Sequence, residues 1–211
     1  MKIQPFTKKE EVAHAITHGI GVLLSIAGLV LLIIFASLEG NPWLIVSVTV
    51  FGTTMLLMYL ASTIVHSLPV GKWKDIFQIF DHSSIYLFIA GTYTPFLLVS
   101  LRSEIGWTLF GIIWGIAIIG VVFKIFFVKK FIVMSTLFYI FMGWLIVFAW
   151  EPLTKVLDGA GLNLLIIGGL FYTIGAVFFM WRKIPYHHAI WHLFVLAGST
   201  FHFFSIFYYV I

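Results

Sequence analysis

The stretch GIGVLLSIAGLVLLIIFAS, Gly19 to Ser37, runs for nineteen residues without one ionisable side chain. A helix crossing the ~30 Å hydrocarbon layer of a bilayer needs about 20 such residues. A helix on the surface of a soluble domain would instead alternate an apolar stripe with a polar face. Gly19–Ser37 therefore reads as a membrane span, and no small-residue cleavage site follows it, so it is expected to be retained.

The remainder of the chain repeats the pattern. Of its 211 residues, 62% are hydrophobic and 9% charged, where soluble domains carry roughly 25% charged residues. Six further spans follow at about Trp43–His66, Ile79–Leu101, Trp107–Val128, Phe131–Trp150, Leu162–Trp181 and His188–Ile211. The separators EGNP (39–42), SLPVGKWKD (67–75), RSEIG (102–106), VKK (128–130), EPLTKVLDGAG (151–161) and RKIPYH (182–187) hold 13 of the 20 charged residues, and five more precede the first span. The expected fold is all-α: one multi-pass domain of seven transmembrane helices over residues 1–211, with 1–18 as a cytosolic N-terminal segment. There are no cysteines, which excludes disulfides, thiolate metal ligands and cysteine nucleophiles. The net charge of +4 is not organised into a basic stripe, so no nucleic-acid partner is expected.

Ten of the twelve Lys and Arg residues fall at the amino terminus or in the connections after the second, fourth and sixth spans, with Lys124 counted at the end of the fourth. The remaining two, Arg102 and Lys155, fall on the other side. Cytosolic loops are enriched in basic residues, so the amino terminus is expected in the cytosol and the carboxyl terminus outside.

This orientation gathers Ser62, His66, Asp81, His82, His188 and His192 near one depth, at the cytosolic ends of the second, third and seventh spans. Only His202 of the eight histidines lies away from that side. Ionisable groups inside a bilayer are costly and mark functional sites. His188 and His192 are four residues apart and share a helical face, as do Ser62 and His66. His187 falls well off the face of His192 at about 100° per residue and is expected at the water interface. A third imidazole from His66 completes a three-histidine set. Neutral imidazoles suit zinc, and catalytic zinc commonly has three protein ligands and an open position for water. Asp81 is placed to hold that water or to orient a histidine from behind.

Each element also has a plainer reading. HxxxH at a helix start can be interfacial polarity, and His66 can anchor a helix at the headgroups. Asp81 can be an N-cap or a first-turn acid, and Ser62 can bond a carbonyl one turn back. Their convergence at one depth favours the metal. His14 and His18 form a second i,i+4 pair at what reads as a flexible start, suited to interfacial, capping or supporting roles. His202 sits about 15 Å along the helix from His192, too far to share its metal, and is expected to hydrogen-bond inside the bundle.

The stretches EEVAHAITHGIG (10–21), STIVHSLP (62–69), FDHSSIYLFIAGTYTPF (80–96) and HHAIWHLFVLAGSTFHFF (187–204) resemble the hemolysin III family, the bacterial branch of the progestin and adiponectin receptor family of seven-helix membrane proteins. The resemblance implies a zinc site formed by His66, His188 and His192, with Asp81 contacting the zinc-bound water and Ser62 nearby. The family commonly has Asn where this chain has His14, so the resemblance gives that residue no role. More distantly, the family resembles alkaline ceramidases, which place a similar set on seven helices.

Two functions compete closely. One is a zinc-dependent hydrolase of a lipid amide or ester, in which Asp81 acts as general base or water orienter and Ser62 as a hydrogen-bond partner in the site, with membrane lipids as partners and no organic cofactor. The other is a non-enzymatic membrane sensor or regulator clamped by structural zinc. A haemolytic pore or transporter ranks below both, because the spans carry few charges and no paired broken helices. The expected location is the cell membrane.

Overall fold

The computed structural model describes residues 6–211. Lys2, counted among the cations above, and residues 1–5 of the N-terminal segment lie outside them. All regular structure among the described residues is helical: α1 (Lys8–Leu38), α2 (Pro42–Ser67), α3 (Lys72–Pro95), α4 (Glu104–Phe127), α5 (Ile132–Gly143), α6 (Trp150–Val156), α7 (Gly159–Met180) and α8 (His187–Tyr209). The third span is α3 continued by a π-helical turn, Phe96–Ser100, and the fifth is α5, a 3-10 segment (Leu145–Ala149) and α6. Seven spans are thus long and apolar enough to cross a membrane.

Two helices begin well before their apolar runs. Thr7 and Glu10 form a reciprocal capping box, the Thr7 hydroxyl oxygen accepting from the Glu10 N–H and the Glu10 carboxylate accepting from the Thr7 N–H. This satisfies backbone donors that a helix start leaves open. Residues 8–18 are therefore the first turns of α1 rather than a flexible lead-in. Similarly, α3 starts at Lys72 with Asp75 in its first turn. Asp81 lies nine residues beyond Lys72, about 13 Å along the helix, so it is neither an N-cap nor a first-turn acid.

Two spans are irregular. Pro95 has no N–H for the α-helical ladder, and the chain after it widens so that the Leu101 N–H reaches Phe96 O at 2.8 Å. In the fifth span the break falls between Gly143 and Leu145, where freed backbone groups would be exposed to apolar surroundings. Tyr93 meets them: its hydroxyl donates toward Met142 O (3.0 Å) and Gly143 O (2.6 Å) and accepts from the Ile146 N–H (2.9 Å).

Helices α1, α2, α3 and α4 pack in sequence, α7 packs on α8, and α8 closes back onto α1. Helix α5 bridges α3 and α7. Gly168 on α7 makes one close approach possible, because a side chain there would collide with the His202 ring of α8. Leu23 on α1 and Ile119 and Phe126 on α4 point outward with about 70% of their surface exposed, as lipid-facing positions do. Lys124 is not a loop cation. It is fully buried in α4, where its ammonium donates to Ser135 Oγ at 2.8 Å.

Candidate metal centre

Three helix ends meet at one end of the bundle. Helix α2 stops at Ser67 because Leu68 precedes Pro69 and takes an extended backbone, leaving His66 in its last turn. Tyr186 adopts a left-handed conformation (φ 56°) that turns the chain into α8. His188 and His192 then project from one face of that helix. The structure brings His66, His188 and His192 together, each buried, with one donor nitrogen from each within 4.8 Å of the others. This cluster can hold a metal ion.

Hydrogen bonds fix which nitrogen two of the three rings, His66 and His192, offer. His66 Nδ1 lies 2.7 Å from Glu11 Oε2. A carboxylate only accepts, so Nδ1 carries the proton and Nε2 keeps its lone pair. That Nε2 is buried and has no hydrogen-bond partner among the described residues. His192 Nδ1 lies 3.2 Å from His14 O and 3.0 Å from Thr17 Oγ1, whose own proton goes to Ala13 O or His14 O. Nδ1 is again the donor, leaving Nε2 free. Metal-ligating histidines characteristically donate their other N–H to a carboxylate or carbonyl, and buried unpartnered nitrogens are otherwise costly. The donor set therefore fits an ion that favours neutral imidazole.

Glu11 was not singled out from the sequence. Its second oxygen accepts from Lys74 Nζ at 2.9 Å. Lys74 also donates to Val65 O and Leu68 O, closing the end of α2. The signal was present: the Thr7–Glu10 capping box starts α1 early enough to place Glu11, His14 and His18 on one face.

Asp81 and Ser62 line a cavity with His188 and His192, and the Ser62 hydroxyl interacts with the Asp81 carboxyl group. His82 lines the same cavity, while its carbonyl accepts from Tyr139 OH at 2.9 Å. Ile85, Phe88, Ile89 and Trp191 are among the apolar walls of the cavity, which also carry the hydroxyls of Thr136 and Tyr172. A second cavity shares Tyr93, Trp144 and His202 with the first and continues to Trp150.

Three other histidines stand differently from expectation. His14 is fully buried among the cluster, with ring centroids 4.6 Å from His66 and 4.8 Å from His188. His18 is also buried and stacks on His192 at 3.4 Å. His187 is off the ligand face but not at the water interface. It is buried, near Phe178 O at 3.2 Å, with Phe6 over it. The expected role of His202 holds, since its Nε2–H donates to Leu165 O at 3.0 Å.

Residues 6–203 match the family model described as Haemolysin-III related. The chain is 58% identical to the hemolysin-3 homolog of Bacillus subtilis (strain 168), covering 98% of this chain and 97% of that protein. Identity to hemolysin-3 of Bacillus cereus is 57%, over 96% of this chain and 93% of the relative. The human monocyte to macrophage differentiation factor is 30% identical over 95% of this chain and 84% of its own length. With seven spans and a match over nearly its whole length, the chain is a multi-pass membrane protein, its place the cell membrane, and it belongs to the Haemolysin-III related family.

Proposed function

We propose that the chain is a zinc-dependent hydrolase of a membrane-lipid amide or ester, working near the cytosolic face of the bilayer. The observation that carries this reading is the cavity itself: His188, His192, Asp81 and Ser62 line it together with walls that are largely apolar. Zinc, when bound by imidazoles, polarises a carbonyl and lowers the pKa of water toward ~7.

The residues of the chain divide the remaining work. His66, His188 and His192 hold the ion, and Glu11 keeps the His66 proton on Nδ1. The Asp81 carboxylate accepts the proton of the attacking water and passes it to the departing amine nitrogen or alcohol oxygen as the C–N or C–O bond breaks. The Ser62 hydroxyl fixes the direction of that carboxylate. Phe88, Ile89 and Trp191 seat the acyl chain and keep bulk water out. The basic residues clustered at the amino terminus and three connections support the cytosolic orientation.

The test is fatty-acid release by purified, zinc-loaded protein from a panel of amide and ester lipids. Asp81→Asn is expected to lower the rate by ~10²–10⁴-fold, the usual contribution of a general base, with zinc content retained. No release from any lipid by the zinc-loaded wild type would contradict the reading. A second reading, a regulator clamped by structural zinc, is favoured by one observation: a fourth imidazole, His14, stands beside the other three. The name of the Bacillus cereus relative refers to lysis, but the apolar cavity walls support lipid handling rather than an aqueous path.

A further inference from the structure

Helix α1 brings to the cluster a side chain that the three-histidine site does not use. His14 has none of its surface exposed, and neither of its ring nitrogens has a hydrogen-bond partner among the described residues. Its ring centroid lies 4.6, 4.8 and 5.4 Å from those of His66, His188 and His192. The other three pairs are separated by 5.1, 5.3 and 4.6 Å. Four imidazoles bonded at 2.0–2.1 Å to one tetrahedral ion would set their centroids about 5.2 Å apart. The observed separations bracket that value. All six pairs of ring planes also cross at 57–72°, so no two of these four rings stack; the nitrogens of His66, His188 and His192 lie within 4.8 Å of one another, while a His14 nitrogen lies that close to His66 and Glu11.

His18 supplies the contrast. It too is buried with both nitrogens unpartnered, but it lies flat against His192, with centroids 3.4 Å apart and planes 8° from parallel. The lone pairs of an imidazole lie in the ring plane, and two parallel planes 3.4 Å apart cannot direct theirs at one ion. Burial and missing partners do not make His18 a ligand; the crossing geometry singles out His14.

We propose that His14 is a fourth imidazole ligand, so that this chain holds its metal with four nitrogen donors instead of three. The inference rests on the metal site of the preceding section but not on lipid hydrolysis. Two features support it. No hydrogen bond has to break for the His14 ring to turn about χ2 toward the ion. Phe6 stands edge-on to His14 at 4.7 Å and also packs on His188 at 5.2 Å, covering the ring on its outer side. His14 does not line the cavity that Asp81 and Ser62 line, so it enters from another side. Substrate approaching along the cavity then meets a site already supplied with four donors. Turnover requires either a fifth position, as catalytic zinc sites sometimes adopt, or departure of His14.

The test uses the full chain purified in detergent and loaded with zinc or cobalt(II). X-ray absorption at the zinc edge counts bound imidazoles, and the cobalt visible spectrum reports the donor set. Wild type and His18→Ala are expected to show four imidazoles. His14→Ala and His14→Asn are expected to show three imidazoles and one oxygen, with zinc affinity at least ~10-fold lower. Three imidazoles in the wild type would overturn the proposal while leaving the three-histidine site standing. This measurement needs no variant, so a His14 variant that fails to fold does not block it. Failure of the wild type to bind either metal would overturn the proposal together with the reading beneath it. Absence of lipid hydrolysis in a four-imidazole protein would count only against the hydrolase.

Discussion

The two nitrogens of His66 do different things: Nδ1 donates a hydrogen bond to Glu11 at 2.7 Å, which leaves Nε2 to supply the lone pair to the cluster. Removing the charge from Glu11 tests this division. Glu11→Gln is expected to lower metal affinity by ~10–100-fold, the usual effect of losing a partner behind a ligating histidine, as read by competition with a chelator. Unchanged affinity would mean that Glu11 serves only the Lys74 ion pair. The His188–His192 pair was legible in the sequence because a four-residue spacing on a helix fixes a shared face, and His66 followed from counting spans. Glu11 and the burial of His14 were not, because hydropathy starts the first helix at Gly19 whereas its capping box starts it at Lys8. Polar turns that continue a transmembrane helix carry no apolar signal, and here those turns deliver the supporting residues.

Among the elements, the fifth span shows most clearly what hydropathy hides. Phe131–Trp150 reads as one continuous apolar run, yet the helix breaks at Gly143 and resumes as 3-10. Nothing in the periodicity marks the break, since the backbone groups it frees are met by Tyr93 from another helix. Tyr93→Phe is expected to destabilise the bundle by ~1–3 kcal/mol, the cost of stranding buried polar groups, seen as a lower thermal midpoint in detergent. An unchanged midpoint would show that the break needs no such support. Pro95, by contrast, announces a distortion of the third span by its identity alone, since it lacks the N–H of the helical ladder, but its identity does not specify a π turn. At the α7–α8 contact, Gly168→Val is expected to cost ~1–3 kcal/mol through overpacking against the His202 ring, measured in the same way.

Across the whole molecule, the cluster ties the first, second and last spans together at one end of the bundle, and the cavity beside it is lined by α1, α2, α3, α5, α7 and α8. Seven spans were legible because a bilayer imposes length and apolarity on every one of them; the closure of α8 onto α1 was not, because no local pattern encodes it. An ion held by the folded bundle and not by the unfolded chain adds about 4 kcal/mol of stability at a free concentration of 1,000 Kd. A chelator is therefore expected to lower the thermal midpoint of the wild type but not of His192→Ala. The central claim is that His66, His188 and His192 hold a metal ion, and elemental analysis of the purified full chain tests it most directly. The account predicts roughly one zinc per wild-type chain and its loss in His66→Ala, His188→Ala and His192→Ala. Full metal content in all three variants, or none in the wild type, would contradict it.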